Sequence, residues 1–156
     1  MNTVALHDAT PYTRSEPAND VSRFADITAA RHYQSSREGL SIPRFFTHEG
    51  IHPYDIVRWE KRHALITGEG GQAVFEQREV EFPASWSQLA TNVVASKYFR
   101  GQLTSPQREY SVRQLLDRVV RTITNWGRQD GYFAAEEAAT TFADELTHLL
   151  LHQKAS

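Results

Sequence analysis

The last apolar stretch of the sequence carries a carboxylate and two imidazoles at spacings that could hold a metal ion. Glu145, His148 and His152 follow one another at intervals of three and four residues, which places them on one face of a helix. Two imidazoles and a carboxylate are competent ligands for a divalent transition metal. The spacing differs from the H-E-x-x-H motif of zinc proteases, and we favour a polar helix face. The sequence therefore predicts no metal site here.

A second group of titratable residues, at 47–53, could supply acid–base chemistry. The text THEGIHP contains His48, Glu49 and His52 beside Gly50, and a histidine near a carboxylate can transfer protons. The sequence identifies no nucleophile or partner for this pair. We interpret the segment as a structured turn that leads into a hairpin.

Six arginines on two predicted helices could bind nucleotide phosphates or nucleic acid. They are Arg100, Arg108, Arg113, Arg118, Arg121 and Arg128. Glu109, Asp117 and Asp130 are interspersed among them and dilute the positive field. We favour a solvated face, or a face that contacts the rest of a larger protein.

The glycine-rich text at 68–71 could be mistaken for a phosphate-binding loop. Gly68-Glu69-Gly70-Gly71 lacks the G-x-x-x-x-G-K-[ST] spacing, and the residues after it have the pattern of a strand rather than a helix. The glycines therefore predict the turn of a β-hairpin.

Composition limits the class of protein. The 156 residues suffice for one domain with a core. The net charge of −2 does not suggest a nucleic-acid or acidic-membrane partner. The sequence contains no cysteine, which excludes a disulfide framework, a thiolate metal site and a cysteine nucleophile. We find neither a secretory signal nor an apolar run of about 20 residues that could span a membrane. We expect a cytoplasmic location.

The order of elements predicts an α+β fold that is mainly helical. We expect a disordered tail at residues 1–19, a weakly structured linker at 20–45, and a domain at 46–156. A hairpin at about 57–82 is followed by helices at about 86–100, 111–126 and 134–153.

Capping signals and apolar periodicity support the three helices. Ser85 and Ser111 each begin an S-x-x-Q capping box, and Gly101 and Gly127 are expected to end the first two helices. The second helix has one apolar stripe, made of Val112, Leu115, Leu116, Val119, Val120, Ile123 and Trp126. Two of the helices have apolar residues on more than one face, so the segment is expected to need another surface. Trp59, Trp86 and Trp126 are interpreted as core or interface anchors.

Roughly the last 110 residues resemble the N-terminal region of adenosylcobalamin-dependent (class II) ribonucleotide reductases. The resemblance begins in FTHEGIHPYDIVRWEKRHALI. Its most specific parts are VEFPASWSQLATNVVASKYFRG, REYSVRQLLDRVVRTITNWG, DGYF and DELTHLLLHQ.

The resemblance implies the reduction of ribonucleotides to deoxyribonucleotides for DNA synthesis. In the family, adenosylcobalamin generates a thiyl radical on a cysteine, and a second cysteine pair supplies electrons. Those cysteines lie in an α/β barrel that follows the region seen here. None of the family's catalytic, cofactor-binding or metal-binding residues can therefore be transferred to this sequence. The resemblance implies that adenosylcobalamin acts in the full-length enzyme and does not bind this chain alone.

The region present is expected to scaffold the barrel, which would be its partner in the same or a separate chain. Substrate and effector nucleotides, as di- or triphosphates, are expected to reach it only through that barrel, and no membrane or nucleic acid is expected as a partner. We expect the chain to be truncated before the barrel and inactive alone. The alternatives are a stand-alone module that docks on a separately encoded barrel, or a small nucleic-acid-binding protein that uses the arginine face.

Overall fold

A computed structural model describes residues 39–155. The predicted tail at 1–19 and positions 20–38 of the predicted linker lie outside the described residues. The elements are a short 3-10 helix (Pro53–Ile56), strands β1 (Trp59–Thr67) and β2 (Ala73–Pro83), and helices α1 (Gln88–Lys97), α2 (Val112–Gln129) and α3 (Glu136–Leu151). The predicted α+β class is confirmed, with one antiparallel hairpin and three helices. None of the helices in the described part of the chain is long and apolar enough to cross a membrane.

The hairpin turn lies at the glycine-rich segment 68–71, as the sequence predicts. The backbone N–H of Gly68 donates to the carbonyl of Gln72 at 2.9 Å, and that of Gly71 donates to the carbonyl of Gly68 at 3.0 Å. Gly71 has a φ of +76°, a conformation that glycine adopts without steric cost. The text at 68–71 therefore closes a hairpin and does not cradle a phosphate.

A β-bulge in β2 shifts the pairing of the two strands. Arg62 pairs with Val80 and Ala64 pairs with Gln77, so two steps along β1 match three steps along β2. Glu79 lies inside the longer stretch with a φ of +56°, as expected where an extra residue is accommodated.

The bulge explains why alternation in β2 is imperfect. Before it, Phe75 and Gln77 are the partly buried residues, and after it Val80 and Phe82 are fully buried. The inward positions change from odd to even numbers because one residue is inserted between them.

Helix α1 begins and ends inside its predicted bounds. Its N-cap is Ser87, whose hydroxyl accepts from the backbone N–H of Ala90 at 3.1 Å, so the capping box expected at Ser85 is wrong. The helix ends at Lys97. Gly101 does have a positive φ of 90°, but it lies in the following loop and does not cap the helix.

Helix α2 begins as predicted and ends later. The capping box of Ser111 and Gln114 is present. Gly127 does not close the helix: it is buried within it, and a Cβ there would lie 2.5 Å from Cε2 of Phe133. The glycine therefore serves close packing, and the chain turns instead at Gly131, with a φ of +68°.

The core joins the hairpin to all three helices. The ring of Phe82 stacks on Phe99 with centroids 5.6 Å apart, and it also contacts Trp86. The indole N–H of Trp86 donates to the carbonyl of Leu151 at 2.8 Å, which ties the turn before α1 to the end of α3. Each such side chain stabilises the fold by about 1.5–3 kcal/mol when fully buried.

The three predicted tryptophan anchors have different environments. Trp86 is buried and Trp59 is partly buried, whereas Trp126 is 59% exposed. The apolar stripe of α2 is therefore covered near its start and uncovered near Trp126.

Candidate functional site

Glu145, the carboxylate of the candidate metal triad, binds backbone amides instead of standing free. Its oxygens accept from the backbone N–H groups of Phe45, Phe46 and Thr47 at 2.9–3.1 Å. They also accept from the hydroxyl of Thr47 at 2.6 Å. We call Glu145 together with residues 44–47 the loop clamp. It attaches the segment before the hairpin to α3.

The loop clamp keeps Glu145 ionised. Partial burial opposes ionisation, but the hydrogen bonds from the Thr47 hydroxyl and from the amides of Phe46, Phe45 and Thr47 lower the pKa of Glu145 to about 2. A carboxylate that accepts several backbone N–H bonds is stabilised in its charged form. Arg44 adds an ion pair to the same segment, with its Nη1 2.7 Å from Oδ2 of Asp144.

His148 lies behind the loop clamp, where its ring neighbours those of Phe46 and His152. Its ring is buried and stacks on Phe46 with centroids 4.9 Å apart. Its Nδ1 has no hydrogen-bond partner among the described residues. Burial, together with the charges of His152 and Lys154, lowers the pKa of His148. The imidazole is therefore held neutral near pH 7.

The ring centroids of His148 and His152 lie 4.2 Å apart, but the three residues of the candidate metal triad have different partners. Glu145 faces backbone amides, His148 stacks under Phe46, and His152 is exposed at the end of α3. Among residues 39–155, no group of three or more histidines, aspartates and glutamates is placed to hold a metal ion. The polar-face interpretation is also wrong for His148, because this face is the contact surface for the loop clamp.

The segment at 47–53 is a turn, as interpreted from the sequence. The backbone N–H of Ile51 donates to the carbonyl of His48 at 3.2 Å. Nδ1 of His52 accepts from the backbone N–H of Tyr54 at 3.2 Å and caps the 3-10 helix. His48 and Glu49 are exposed, and the structure does not join them to a nucleophile.

A cleft of about 690 Å³ separates this turn from α3. Its charged lining is mainly acidic and consists of Glu49, Glu136, Glu137 and Asp144, with Arg44 and His52. Asp144 is already paired with Arg44 and Glu136 with Arg128. The cleft can attract cationic groups, but half of its carboxylates already have partners.

Arg108, one of the six predicted face arginines, is partly buried and structural. Its guanidinium donates to the carbonyls of Ala95 at 2.5 Å, Phe99 at 2.7 Å and Gly101 at 2.9 Å. It also donates to Oε1 of Gln77 at 3.0 Å. We call this group the arginine junction. It satisfies the carbonyl of Ala95 in the last turn of α1, which has no partner within the helix, and two carbonyls of the following loop. It also joins them to β2.

Arg113 is likewise part of the packing. Its guanidinium lies 3.9 Å from the ring centroid of Trp59, a cation–π distance. Its Nε is 3.3 Å from Oε2 of Glu81. Next to it, the hydroxyl of Tyr54 donates to Asp117 at 2.9 Å. Burial, and then the hydrogen bond to Asp117, raise the pKa of Tyr54 far above its usual range.

Arg100 is exposed, and only its backbone N–H donates to Glu109. The other three members of the arginine set have acidic partners for their guanidinium groups. Arg118 lies 3.0 Å from Glu109, and Arg128 donates to Glu136 at 3.0 Å. Arg121 lies 3.8 Å from Asp117 on the surface of α2. The interpretation of a solvated basic face is therefore wrong for Arg108, Arg113 and Arg118, whose charges are used inside the domain.

The sequence analysis did not identify Arg62, which donates hydrogen bonds to several groups inside the domain, as Arg108 does. Its side chain is 11% exposed, and it donates to the carbonyls of Trp86 at 2.6 Å and Ala84 at 3.1 Å and to the hydroxyl of Thr91 at 2.9 Å. Its position in β1 could have indicated this role. Arg62 shares a strand face with Ala64, and a cation on an inward face needs partners.

Comparison with known proteins identifies the family. A model described as class II vitamin B12-dependent ribonucleotide reductase matches residues 60–104 and 102–153. The vitamin B12-dependent ribonucleotide reductase of Streptomyces coelicolor is 49% identical over 117 residues, which are 74% of this chain and 12% of that protein.

Proteins of the same name from other bacteria are also similar to this chain. That of Rhodopirellula baltica is 49% identical over 141 residues, covering 89% of this chain and 13% of the relative. That of Agrobacterium fabrum is 30% identical, with 74% and 12% covered. The chain thus spans about an eighth of the length of the relatives that it matches. It belongs to the class II, vitamin B12-dependent ribonucleotide reductase family and corresponds to the N-terminal region of these enzymes.

Proposed function

We propose that this chain is the N-terminal part of a reductase that converts ribonucleotides to deoxyribonucleotides for DNA synthesis, and that it scaffolds the catalytic barrel. The observation that carries the proposal is the family match across residues 60–153 in a sequence without cysteine. Thiyl-radical chemistry and its reductant both require thiols. The chain therefore contributes structure to the enzyme and no reacting group.

The described residues do not fit adenosylcobalamin. Pockets of about 300–1,000 Å³ enclose drug-sized ligands, and a corrin with its adenosyl group is considerably larger. The cleft beside α3 measures about 690 Å³ and is lined by carboxylates, which offer a poor environment for the apolar faces of a corrin. We propose that the cofactor binds elsewhere in the full-length enzyme, and we assign no step of its chemistry to these residues.

Substrate and effector nucleotides are proposed to bind the barrel and not this chain. Binding of phosphates or nucleic acid by the arginine set is disfavoured because Arg108, Arg113 and Arg118 already have intramolecular partners. We further propose that the enzyme acts in the cytoplasm, where deoxyribonucleotides are needed for DNA synthesis.

The test is a chimera in which the part of this chain that matches the Streptomyces coelicolor reductase replaces the corresponding segment of that enzyme. Isolated 1–156, with adenosylcobalamin, a dithiol and ribonucleoside di- or triphosphates, is expected to yield no deoxyribonucleotide. The chimera is expected to reduce the natural substrate. Reduction by the isolated chain, or an inactive but folded chimera, would contradict the proposal.

A further inference from the structure

Helix α1 has an apolar outer face in addition to its buried face. Leu89 is 73% exposed and Val93 is 42% exposed, and the two lie one helical turn apart. The helix contains no acidic residue, and its one basic residue is Lys97 in the last turn. The exposed face is therefore unusually poor in charge for a surface helix.

The opposite face of α1 is already packed. Thr91 and Ala95 are fully buried against the rest of the domain, and the helix contacts both strands of the hairpin. A helix that is apolar on both sides normally lies between two surfaces. The described residues supply one of them.

The polar groups beside the outer face are already hydrogen-bonded within the domain. Nε2 of Gln88 donates to the carbonyl of His63 and to Oδ1 of Asn92, each at 2.8 Å. Oδ1 of Asn92 also accepts from the backbone N–H of Leu65 at 3.2 Å. The hydroxyl of Ser96 donates to a carbonyl of its own helix at 3.1 Å. Covering this face would therefore leave few polar groups without partners, so the cost of desolvation is small.

We propose that the outer face of α1, centred on Leu89 and Val93, is the surface on which the remainder of the reductase polypeptide packs. The inference rests on the proposed function, and it names the surface of the domain through which the scaffolding contact is made. The segment of the Streptomyces coelicolor relative that matches this chain is 12% of that protein, so most of the polypeptide lies outside the matched region. The occupant is an apolar surface of that polypeptide.

The size of the face argues against a second copy of this chain as occupant. A ten-residue helix is about 15 Å long and 10 Å wide, so one face offers about 150 Å². Stable association of separate proteins needs about 800 Å² per partner. A tethered partner avoids this requirement because its effective concentration is high. The face therefore suits a contact within one polypeptide.

Hydroxyl-radical footprinting measures the burial of this face directly. Isolated 1–156 and the chimera with the Streptomyces coelicolor reductase would be labelled under the same conditions. The labelling of Leu89 and Val93 is expected to fall about fivefold or more in the chimera, because side chains in the core of an interface are withdrawn from solvent. The matched controls are Val74 and Leu103, which are 69% and 50% exposed and lie outside α1; their labelling should stay unchanged.

Each outcome has a distinct meaning. Equal labelling of Leu89 in both proteins would overturn the inference, and would leave the proposed function intact if the chimera reduces ribonucleotides. Protection of Leu89 in an inactive chimera would support the inference and contradict the proposed function. Labelling of the isolated chain that falls as its concentration rises would show that a second copy covers the face, and would also overturn the inference.

Paired substitutions provide an independent measurement. In the chimera, Leu89→Glu with Val93→Glu is expected to lower activity and increase protease cleavage at the junction. Val74→Glu with Leu103→Glu introduces the same charges on the same residue types and should change neither. The isolated chain should remain folded with either pair, since all four positions are exposed. Equal effects of the two pairs in the chimera would overturn the inference.

Discussion

The arginine junction joins the end of α1 to β2, and the loop clamp joins residues 44–47 to α3. Both use a charged side chain that binds several backbone groups, but the charges are opposite. In each, one charged side chain satisfies several backbone groups that would otherwise lack partners. Arg108 donates to carbonyls of α1 and of the loop that follows it, whereas Glu145 accepts from amides of 45–47. Because both side chains act over several bonds at once, each is expected to matter more than an exposed ion pair.

The arginine junction and the loop clamp differ in their response to pH. Burial lowers the pKa of Arg108, yet a guanidinium keeps its proton in proteins, so the arginine junction is independent of pH. The loop clamp contains a carboxylate with a pKa of about 2, and a buried neutral histidine lies behind it. Both groups favour the folded state near neutral pH and lose that contribution in acid. The α3 end of the domain is therefore the acid-sensitive one.

The largest effect is expected from Arg108→Ala. Loss of the guanidinium leaves the carbonyls of Ala95, Phe99 and Gly101 without this donor, and we expect a loss of about 3 kcal/mol in the free energy of unfolding. Urea denaturation of 1–156 at pH 7 and pH 5 would measure it, and the loss should be the same at both. Arg108→Lys is the matched control and should be intermediate, because an ammonium cannot reach all three carbonyls.

The loop clamp is tested by Glu145→Gln. The amide keeps the size of the side chain but removes the charge, and we expect a loss of about 1–3 kcal/mol at pH 7. The pKa of Glu145 is lower in the folded chain than its ordinary 4.5. Its contribution is therefore complete above about pH 5 and is lost as the pH falls towards 2. Urea denaturation from pH 7 to pH 3 should show a smaller difference between wild type and variant in acid. A constant difference would contradict the assignment.

His148→Phe should remove the second acid-sensitive element. Phenylalanine can retain the stack on Phe46 and has no nitrogen that would be buried unpaired. The pKa of His148 is lowered in the folded chain, so its neutral form stabilises above its ordinary pKa of 6.5 and this contribution falls below it. We expect little change at pH 7, within about 1 kcal/mol, and a flatter stability curve between pH 6.5 and 5. An unaltered slope in that interval would show that His148 does not titrate with unfolding.

Arg121→Ala gives the smallest expected effect and sets the lower limit of the comparison. The side chain is 80% exposed and has one partner, Asp117, at 3.8 Å. We expect a change within about 0.5 kcal/mol in the free energy of unfolding. A loss as large as that of Arg108→Ala would mean that the number of backbone partners does not distinguish structural arginines from surface ones.

Local signals in the sequence predict the helices and the hairpin, but they do not predict the arginine junction or the loop clamp. The capping box at Ser111 and the glycines at 68–71 are sufficient for α2 and for the hairpin turn. The partners of Glu145 lie 98–100 residues away in the sequence. Neither charge nor helical spacing could therefore distinguish a loop clamp from a metal ligand.

The errors at helix ends have the same origin. Ser85 and Ser87 are two residues apart, and both residue types can cap a helix. Ser85 lies inside the turn from Pro83 to Trp86, so Ser87 is the N-cap. Gly127 looked like a helix terminator, but Phe133 packs against it. In β2 the change of parity was visible in the sequence, whereas its cause, the bulge at Glu79, needed the strand register.

We propose that this chain supplies structure to a ribonucleotide reductase and no catalytic group. The most direct test of this proposal is ribonucleotide reduction by the Streptomyces coelicolor chimera and by isolated 1–156 with adenosylcobalamin and a dithiol. We expect deoxyribonucleotide from the chimera and none from the isolated chain. Product from the isolated chain, or a folded chimera that makes none, would contradict it.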